Sequence, residues 1–592
     1  MLIERLRLRD CPAELPDLPG LSALARRLLA SRGLSGPADD LRLHELLPPD
    51  DLLGIDNAAG LLLQALQQQN RILIVGDYDV DGATATALMV RSLRDDFGAT
   101  VDYFIPSRFT HGYGLSPSVI ETLQGREEPL PDLLLTVDNG IASAAGIRAA
   151  QAVGIQVIVT DHHLPGTEPC GAEAVVNPNQ PGCAFPSKVA CGCTVAFYLL
   201  LRLRQIAADW LAEQQRPAPS MARYLDLVAL ATIADVVPLD GNNRILVEQG
   251  LRRIRSGAAQ PGIIALLEAS RRDPSRLTSQ DLGFVLGPRL NAAGRMDDMT
   301  VGVACLLADD MADARSLAGM LEDFNQARKQ VQERMVEQAG VQVVQAEQAA
   351  RDEHEQLADR PLVRVLWHED WHEGIVGLVA GRLKERLQQP VVALCPGEDG
   401  LYKGSARSIP GVHMRDLLAW VDARNPGTLA RFGGHAMAAG LTLPPEHLET
   451  LRSSLQEAAA TLVPEEAWVS ELVIDGPLGA GEFSLAQAEE LTQLGPWGQG
   501  CPPPLFVNRF RVLHQRWLGE RHLKLLLQPE GATESVDGIW FFCPLAAGDP
   551  IPEQVLLVHE LSVNEYRGQR SPQLMIKAEV PASAELPENM SL

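Results

Sequence analysis

Apolar stretches of strand length alternate with helical stretches between residues 71 and about 305 of the 592-residue chain. The first of them, Arg71 to Val75, leads into the acidic sequence GDYDVDG, and the following ATATALMV predicts a helix that packs back on the strand. Three later stretches, ATVDYFIPSR, DLLLTVDNG and IQVIVTDHH, share the apolar character and the polar end. This alternation is typical of a parallel sheet covered by helices on both faces. We therefore predict an α/β fold for residues 71–305.

The rest of the chain predicts four further segments. Residues 1–70 are rich in Leu and Ala and predict a few short helices. Residues 306–358 are polar, with apolar residues at helical spacing, and predict one long connecting helix or two nearly collinear ones. Residues 359–460 predict a second α/β unit. Residues 465–582 contain short alternating stretches separated by turns, which favour a small antiparallel barrel, with an OB-fold as the natural candidate.

The chain carries a formal net charge of −25. This acidity argues only weakly against nucleic-acid binding, because metal-binding carboxylates add acid locally and a narrow basic channel can coexist with an acidic exterior. No apolar stretch is long enough to span a bilayer, and the N-terminus lacks the apolar core of a signal peptide. The nine cysteines are scattered. We expect a cytoplasmic protein that has no membrane partner.

Three aspartates, Asp77, Asp79 and Asp81, follow the first strand at alternate positions, and Gly82 closes the run. We expect all three on the turn at the carboxyl end of the strand, where open α/β sheets place their ligands. Like charges this close repel one another and favour protonation of at least one unless a cation is present. Hard divalent cations such as Mg²⁺ and Mn²⁺ prefer such oxygen ligands. The alternative is a solvated acidic turn, which the strand–turn–helix setting disfavours.

Other predicted elements end in Asp or His at the same edge of the sheet. Asp138 begins an Asp-Asn-Gly sequence, Asp161 to His163 form Asp-His-His, and a predicted buried helix ends at Asp235. Each alone has an ordinary explanation, because Asp-Asn-Gly is usually a turn and a His pair is more often a surface or core feature. Together with the three aspartates they match a two-metal site, in which carboxylates bridge and imidazole completes the ligand set.

Four of these sequences, in this order, resemble the motifs of the DHH phosphoesterase superfamily: GDYDVDGATATA, VDNG, TDHH and ADVVPL. Five later sequences are similar to the RecJ family of bacterial single-strand DNA exonucleases within it. They are PRLNAAGRM (288–296), WHEGIVGLVAGRL (371–383), KGSARSIPG (403–411), FGGHAMAAGLTL (432–443) and LGPWGQGCPPPLF (494–506). The resemblance covers nearly the whole chain from about residue 40. It implies a DHH domain with a parallel sheet, a DHH-associated domain after the connecting helix, and a C-terminal OB-fold.

The resemblance implies two bound Mn²⁺ or Mg²⁺ ions, whose ligands are Asp79, Asp81, Asp138, His162 and Asp235, with Asp138 as the bridge. It makes Asp77 and Asp161 auxiliary ligands or orienting residues. His163 would face the scissile phosphate or the attacking water, and it joins the five ligands in the catalytic set. Many superfamily members place a histidine four residues before the first ligand aspartate, where this chain has Val75. This departure is similar to the RecJ family and leaves one metal to be completed by Asp77 or water.

Candidate substrate contacts fall into three groups. Arginines that could grip a terminal phosphate with bidentate donors are Arg108, Arg289 and Arg295, with Asn291 on the same loop, and a surface salt bridge is the alternative for each. The Gly-rich loops KGSARSIPG and FGGHAMAAG suit backbone phosphates. There the resemblance to the DHH-associated domain implies contacts from Ser405, Arg407, Ser408, Gly433, Gly434 and His435. In the barrel the candidates are Arg516, Trp517, Arg521, Lys524, Tyr566 and Arg567, whereas Trp540 and Phe541 are expected in the core.

The resemblance implies a metal-dependent 5′→3′ exonuclease that releases 5′-mononucleotides from single-stranded DNA in DNA repair and recombination. It also implies a single-strand-binding protein and a RecQ-type helicase as partners, and we expect a monomer. One alternative is another DHH hydrolase that acts on pyrophosphate, short oligonucleotides or cyclic dinucleotides, although such small substrates need neither the barrel nor the long helix. The other is a non-catalytic DNA-binding replication scaffold. Such relatives lose ligands, whereas this chain keeps Asp or His at every motif position.

Overall fold

The computed structural model describes residues 4–352, 361–519, 521–545, 548–549 and 551–587. The chain forms two compact units. The parallel-sheet unit comprises Gly36–Ala327 and Gly495–Pro503, and the barrel unit comprises Met1–Ser35, Arg328–Leu494 and Pro504–Leu592. The chain begins in the barrel unit with strand β1 (Arg5–Leu8) and helix α1 (Ala23–Ala30). No helix among the described residues is both long and apolar enough to cross a membrane.

Five parallel strands form the sheet of the parallel-sheet unit, and the apolar stretches predict four of them. They are β2 (Arg71–Gly76), β3 (Thr100–Phe104), β4 (Leu133–Val137), β5 (Gln156–Thr160) and β6 (Ala174–Val176). Their order is β3-β2-β4-β5-β6, and every neighbouring pair is parallel. The short edge strand β6 was not predicted. All carboxyl ends therefore lie on one edge, where β2, β4 and β5 deliver their acidic and imidazole side chains.

Twelve helices belong to the same unit as this sheet. They are α2 (Ile55–Gln67), α3 (Val80–Arg91), α4 (Pro117–Gln124), α5 (Ala144–Ala152), α6 (Gly192–Ile206), α7 (Ala208–Glu213), α8 (Leu225–Ala234), α9 (Gly241–Arg255), α10 (Pro261–Ala269), α11 (Ser279–Asp281), α12 (Gly287–Met296) and α13 (Thr300–Leu307). Helices α3, α6 and α8 pack on one another, and every residue of α3 is buried. α8 is apolar on all sides, as expected of a helix inside a core, and Asp235 caps its C-terminus as predicted.

A single helix, α14 (Met311–Asp352), runs for 42 residues. Of the two predicted alternatives, it matches the single long connecting helix and not the two nearly collinear helices. Residues 353–358 of that prediction lie outside the described residues. The helix leads into a mixed sheet with strands β7 (Arg364–Trp367), β8 (Val391–Pro396), β9 (Tyr402–Arg407), β10 (Arg431–Gly434) and β11 (Ala438–Leu443). Helices α15 (Glu373–Leu387), α16 (Met414–Arg424) and α17 (Leu448–Leu462) complete this second α/β domain.

The Gly-rich sequences predicted as loops are largely strands of this sheet. Its order is β10-β11-β9-β8-β7, with only β7 and β8 parallel. The loop prediction for KGSAR was wrong because its small residues serve packing within the sheet. A Cβ at Gly404 would lie 2.4 Å from Leu394 Cδ2 and 2.7 Å from Leu441 Cδ2. The glycine therefore makes room for two leucines on the neighbouring strands.

The C-terminal domain is a closed five-stranded barrel, which confirms the predicted OB-fold class. After β12 (Glu471–Ile474) and α18 (Leu485–Gln493), the barrel strands are β13 (Phe506–Leu518), β14 (His522–Pro529), β15 (Val536–Trp540), β16 (Gln554–Tyr566) and β17 (Gln569–Glu579). All its pairs are antiparallel except β15 with β17. Trp540 is buried as expected. The core prediction for Phe541 was wrong, because this side chain follows the end of β15 and is 47% exposed.

The N-terminal residues join the barrel unit through a strand that the sequence analysis did not predict. β1 pairs in parallel with β12. Arg32 Nη1 and Nη2 donate to the two carboxylate oxygens of Asp475 at 2.8 and 2.9 Å, with both side chains almost fully buried. A bidentate buried pair of this kind fixes both partners in orientation. The RLRL sequence of β1 is short and charged, so it gives little strand signal. Its partner strand β12 also lies far along the chain.

Candidate active site

The three aspartates after β2 have unequal surroundings. Asp77 Oδ1 accepts a hydrogen bond from a backbone N–H at 2.7 Å. Asp79 caps α3 by accepting from the N–H of Gly82 at 3.1 Å. The helix begins directly after this cap, so Asp81 lies in the first helical turn. The prediction that Gly82 closes a turn carrying all three was therefore wrong, because an N-cap aspartate starts the helix earlier.

Two glycines let neighbouring backbone approach this acidic segment. A Cβ at Gly82 would lie 2.5 Å from the backbone N and O of Asp77. A Cβ at Gly294, on α12, would lie 2.2 Å from the carbonyl oxygen of Tyr78. Contacts this short are not available to residues with a side chain. The absence of a side chain at Gly294 brings α12, and with it Arg295, against the acidic segment.

The N-terminus of α6 holds two of the predicted ligands. Asp81 is buried, and its two oxygens accept hydrogen bonds from the N–H groups of Gly192 at 2.6 Å and Cys193 at 2.8 Å. The positive end of a helix stabilises a carboxylate in this position. A Cβ at Gly192 would also lie 2.5 Å from Asp138 Cβ and 2.6 Å from its Oδ1. One helix end therefore sets Asp81 and Asp138 relative to each other.

Asp138 adopts a left-handed backbone conformation, with φ of 62°. Aspartate tolerates this conformation better than most residues do. The N–H of Asp138 donates to the carbonyl of Thr160 at 3.1 Å. The buried amide of Asn139 donates to the carbonyls of Val75 at 3.0 Å and Val137 at 2.9 Å, joining the ends of β2 and β4. Sequence analysis assigned Asn139 only to a turn. An Asn directly after an apolar strand can also indicate a side chain that hydrogen-bonds the ends of neighbouring strands, as Asn139 does.

Asp161 orients the histidine pair. Its Oδ1 accepts from the N–H groups of His162 at 2.7 Å and His163 at 3.1 Å, and from the His163 Nδ1–H at 2.8 Å. Its Oδ2 accepts from the N–H of Ile141 at 2.9 Å. Both oxygens are thus engaged by protein donors. This geometry supports the orienting role for Asp161 and gives it no oxygen directed at a metal.

Two asparagines that sequence analysis missed hold the same histidine loop from the other side. Asn179 Nδ2 donates to the carbonyl of His162 at 2.6 Å, and Asn177 Nδ2 donates to that of His163 at 2.9 Å. Asn177 Oδ1 accepts from the N–H of Asn179 at 2.7 Å. They follow β6, and the signal that could have found them is the sequence NPN directly after that strand.

The imidazole of His162 lies at the centre of the predicted ligands. Its Nε2 is 3.2 Å from Asp138 Oδ1, 3.5 Å from Asp235 Oδ2 and 3.8 Å from Asp81 Oδ2. Within the part of the chain that the structure describes, His162 Nε2, Asp138 Oδ1 and Asp235 Oδ2 are buried and make no hydrogen bond. Buried polar atoms without partners are costly. Their convergence fits a divalent cation with oxygen and imidazole ligands.

A second group of oxygens lies beside the first. Ligand atoms of Asp77, Asp79 and Asp138 all lie within 4.8 Å of one another. Burial, followed by the charge of Asp79, raises the pKa of Asp77 well above its usual value. Since Asp138 belongs to both groups, the residues fit two cations that share this carboxylate. The position of Asp77 supports a ligand role where Val75 replaces the histidine of other superfamily members.

The protein alone leaves these carboxylates in an unfavourable charged environment. Burial, followed by the charges of Asp81 and Asp79, raises the pKa of Asp138 well above its usual value. Burial and the same two neighbours raise the pKa of Asp235. Burial lowers the pKa of His162, so its ring stays neutral and offers a lone pair. A divalent cation would reverse the repulsion among the carboxylates and accept that lone pair.

His163 has a different electrostatic state. Burial alone would lower its pKa, but the hydrogen bond to Asp161 and the charges of Asp161 and Asp77 raise the pKa of His163 to about 9. The ring is therefore positively charged at neutral pH. The hydroxyl of Tyr113 lies 3.2 Å from His163 Nε2, and the two rings meet edge to face at 5.8 Å. Sequence analysis missed Tyr113, which follows a His-Gly pair in the segment after β3.

The predicted phosphate-gripping arginines differ in their contacts. The guanidinium of Arg108 lies over the ring of Tyr78, 4.4 Å from its centroid. Arg289 Nε forms an ion pair with Glu322 Oε2 at 2.6 Å, so its charge is already balanced. The predicted loop is the helix α12, which carries Arg289, Asn291 and Arg295. Contact of these four residues with a substrate stays a prediction.

In the barrel unit, β9 carries Ser405 and Arg407. Arg407 Nη1 donates to Ser405 Oγ and to the carbonyl of Ala406, both at 2.8 Å. A Cβ at Gly377 of α15 would lie 2.9 Å from Arg407 Nη2, so the glycine makes room for the guanidinium. Burial lowers the pKa of Arg407, and no carboxylate among the described residues pairs with it. A half-buried cation without a counter-charge favours binding of an anion.

The other predicted residues of this sheet lie near Arg407 in register. Arg407 pairs with Ala438 on β11, and Gly434 pairs with the next residue of that strand. Gly433, Gly434 and His435 are exposed at this end of the sheet. Ser408 is buried, and its hydroxyl donates to the carbonyl of Val412 at 2.7 Å. The Ser408 hydroxyl is therefore engaged inside the protein, and its predicted substrate contact stays a prediction.

On the barrel, the predicted contacts are partly engaged with acidic neighbours. Arg516 and Lys524 are paired across β13 and β14, and Lys524 Nζ forms an ion pair with Asp537 at 2.9 Å. Arg521 lies 3.4 Å from a Glu337 oxygen on α14. Tyr566 is 65% exposed, and the guanidinium of Arg567 lies 5.2 Å from its ring centroid. The half-buried Trp517 lies between Arg516 and the end of β13.

Comparison with known protein families finds three matching family models. They are the N-terminal domain of the DHH family over residues 71–232, the DHHA1 domain over residues 359–461 and the RecJ OB domain over residues 474–578. These matches follow one another along the chain in the same order as the parallel sheet, the mixed sheet and the barrel.

Individual relatives match nearly the whole chain. The chain is 47% identical over 577 residues to the single-stranded-DNA-specific exonuclease RecJ of Salmonella typhimurium, covering 97% of this chain and 98% of that protein. It is 46% identical to the protein of the same name from Escherichia coli, covering 96% of each. Its structure resembles the crystal structure of RecJ with Mn²⁺ from Thermus thermophilus, with a TM-score of 0.77, 31% identity, and coverage of 98% of this chain and 80% of that one.

Proposed function

We propose that this chain, which belongs to the RecJ family of single-stranded-DNA-specific exonucleases, hydrolyses single-stranded DNA from its 5′ end and releases 5′-mononucleotides. One observation carries the proposal. Asp138 Oδ1, His162 Nε2 and Asp235 Oδ2 meet as buried atoms that make no hydrogen bond to any residue the structure describes. Such a donor set at the carboxyl edge of a parallel sheet suits metal-dependent phosphodiester hydrolysis.

The residues that would hold two Mn²⁺ or Mg²⁺ ions are Asp77, Asp79, Asp81, Asp138, His162 and Asp235. When bound, such ions supply a water nucleophile at neutral pH and stabilise charge on the phosphate oxygens. The protein contributes fixed ligand positions, since the N-terminus of α6 holds Asp81 and the left-handed backbone holds Asp138. Asp161 keeps His163 charged and oriented beside the ligands, where its positive charge attracts a phosphate.

We assign the remaining parts of the chain to holding the strand. Residues 71–305 would carry the chemistry, and residues 359–460 would bind backbone phosphates through Ser405 and Arg407. Residues 465–582 would bind bases and phosphates by stacking and charge, as OB-folds do. Arg108 and Arg295, beside the acidic segment, suit a terminal 5′-phosphate because guanidinium groups bind phosphate oxygens in a bidentate manner. The exposure of Tyr566 and the charge of Arg567 support a contact there.

We further propose a monomeric, cytoplasmic enzyme of DNA repair and recombination. By the family resemblance, its partners would be a single-strand-binding protein, which covers the substrate, and a RecQ-type helicase, which supplies it. Light scattering on the purified protein checks the monomer, and co-purification with each candidate partner checks the association.

Digestion of a long single strand labelled at either end tests the function. With Mn²⁺ or Mg²⁺, a 5′ label should appear at once as a mononucleotide, whereas a 3′ label should remain on long products until late. EDTA should stop both reactions. Early release of the 3′ label would reverse the proposed polarity. Rapid cleavage of a dinucleotide or pyrophosphate with an intact long strand would indicate another DHH hydrolase, and no hydrolysis with any metal would indicate a scaffold.

Replacement of Arg407 by alanine should weaken binding of single-stranded DNA. A charge-assisted hydrogen bond contributes about 1.5–3 kcal/mol, which corresponds to an increase in KM of roughly 10–150-fold. The kcat should change less, because Arg407 lies outside the metal ligand set. The thermal midpoint of the free protein should fall only slightly, since the half-buried guanidinium has no carboxylate partner among the described residues and its loss removes only the hydrogen bonds to Ser405 and Ala406.

The matched control is Arg382→Ala on α15, an exposed arginine that forms an ion pair with the exposed Glu385 at 3.6 Å. It should leave KM and the thermal midpoint unchanged, because exposed ion pairs contribute little. Steady-state kinetics on a long single strand, with differential scanning fluorimetry, separates the two variants. An unchanged KM in Arg407→Ala would remove this residue from the proposed contact.

A further inference from the structure

The loop that carries Asp235 is strained. Asp235 follows the last residue of α8, and the next residue, Val236, has φ of 61°. A β-branched residue in this left-handed region is a genuine outlier, because its branched side chain crowds the backbone. Val236 is also 62% exposed, so its side chain does not hold the loop in place. Surrounding contacts must therefore maintain the conformation of the loop 235–239.

Part of that support comes from a distant segment of the chain, Gly495–Pro503, which we term the GPWGQG segment. The N–H of Leu239 donates to the carbonyl of Gln499 at 2.7 Å. A Cβ at Gly498 would lie 2.8 Å from Leu239 Cδ1 and 3.6 Å from Ile233 Cδ1. A Cβ at Gly500 would lie 3.2 Å from Pro238 Cβ. The two glycines therefore let the segment lie directly against both ends of the Asp235 loop.

The GPWGQG segment is itself held at several points of the parallel-sheet unit. Arg244 is buried, and its Nη2 donates to the carbonyl of Gly495 at 2.9 Å. Ser279 Oγ donates to the carbonyl of Trp497 at 2.6 Å. Within the segment, Gly498 and Cys501 exchange backbone hydrogen bonds at 2.9 and 3.1 Å. These contacts make a rigid support, because each uses backbone or buried groups.

We propose that the GPWGQG segment is a positioning element for Asp235, which it acts on through the strained loop 235–239. The inference rests on the proposed function in one respect, that Asp235 is a metal ligand. In the sequence the segment lies between α18, from which Leu494 separates it, and β13, the first strand of the barrel, and both neighbours belong to the barrel unit. Its packing in the parallel-sheet unit means that residues between α18 and β13 in the sequence help to position a metal ligand.

Gly498→Val tests the proposal directly, because the added methyl groups would collide with Leu239. Mn²⁺ binding to the protein without DNA, measured by calorimetry, should weaken about tenfold, as is typical when groups that orient a ligand are lost. The Mn²⁺ concentration for half-maximal hydrolysis should rise in parallel, while kcat at saturating Mn²⁺ stays near wild type. Affinity for single-stranded DNA in EDTA should not change.

The matched control is Gly481→Val, since a Cβ at Gly481 meets nothing within 4 Å. It should leave Mn²⁺ binding unchanged. Ser279→Ala is a milder second test that removes only the hydrogen bond to Trp497, and it should weaken Mn²⁺ binding by a smaller factor in a protein with a wild-type thermal midpoint. If Gly498→Val fails to fold, Ser279→Ala decides.

Folded Gly498→Val protein with wild-type affinity for Mn²⁺ would overturn the proposal, and so would wild-type affinity in Ser279→Ala when Gly498→Val does not fold. A merely structural role would lower the thermal midpoint and leave Mn²⁺ affinity of the folded protein intact, which also contradicts it. Failure of the proposed function is distinguishable. A wild-type protein that binds Mn²⁺ without degrading DNA would refute the exonuclease activity, and calorimetry would still decide the role of the segment.

Discussion

Replacing Asp138 by asparagine should lower the rate of single-strand DNA hydrolysis by at least about 10³-fold, since a metal ligand contributes several kcal/mol to the transition state. Asparagine keeps the size of the side chain and removes the charge shared by both groups of ligand atoms. The loss should persist at high Mn²⁺ concentration, because the shared position itself is affected. Single-turnover kinetics on a 5′-labelled strand measures the effect.

The fold should tolerate this substitution. Burial and the charges of Asp81 and Asp79 raise the pKa of Asp138 in the folded protein. The folded protein therefore keeps the Asp138 proton to higher pH than the unfolded chain does. As pH rises from the pKa of this carboxyl in the unfolded chain towards its pKa in the folded protein, the carboxyl increasingly lowers the free energy of unfolding. At neutral pH the metal-free Asp138→Asn protein should have a thermal midpoint equal to or above that of the wild type.

Asp102→Asn on β3 is the control, because this aspartate lies on the same sheet with an exposed side chain. It should retain wild-type hydrolysis and a wild-type midpoint. Metal-dependent hydrolysis at the wild-type rate by folded Asp138→Asn would refute the metal site that the geometry supports.

Replacing Gly192 by alanine should damage the active site from outside the ligand set. The new methyl group would lie 2.5 Å from Asp138 Cβ and 2.6 Å from Oδ1, so either Asp138 or the N-terminus of α6 has to move. Asp81 would move as well, since both its oxygens are bound to that N-terminus. A displacement approaching 1 Å typically lowers a catalytic rate roughly 10²-fold. Overpacking should also destabilise the fold by about 1–3 kcal/mol.

Gly241→Ala provides a closely matched control for this variant. Gly241 is the first residue of α9, as Gly192 is of α6, and a Cβ there meets nothing within 4 Å. The control should keep wild-type kinetics and change the free energy of unfolding by less than about 1 kcal/mol. Urea denaturation and single-turnover kinetics compare the pair. Equal kinetics in the two variants would show that the N-terminus of α6 does not set the ligand positions.

Much of the parallel-sheet unit could be predicted because its signals are local. Each long strand is an apolar run, and the side chains with chemistry come directly after it, as at Asp138 and His162. Local signals also placed Asp235 at the end of a buried helix. The prediction that Asp77 is a ligand or an orienting residue depended on position 75, where this chain has valine and many superfamily members have histidine. That difference is also visible in the sequence.

What escaped prediction depends on contacts between distant parts of the chain. Nothing near Gly192 indicates that Asp138 will lie against it, since the two are brought together only by packing of α6 on the sheet. Asn177 and Asn179 follow β6, a strand of only three residues that gives almost no pattern. The loop prediction failed over KGSAR for a related reason. Glycine is typical of loops, and only the packing of Leu394 from a neighbouring strand explains Gly404 within a strand.

The pairing of the chain's beginning with its C-terminal third has a consequence for biosynthesis. Arg32 and Asp475 are separated by 443 residues, so the ribosome needs about 20–90 s between them at typical elongation rates of roughly 5–20 residues per second. During that interval β1 has no partner, while the parallel-sheet unit can be completed up to Ala327. Nascent chains would therefore expose the amino-terminal residues to chaperones and proteases for most of translation.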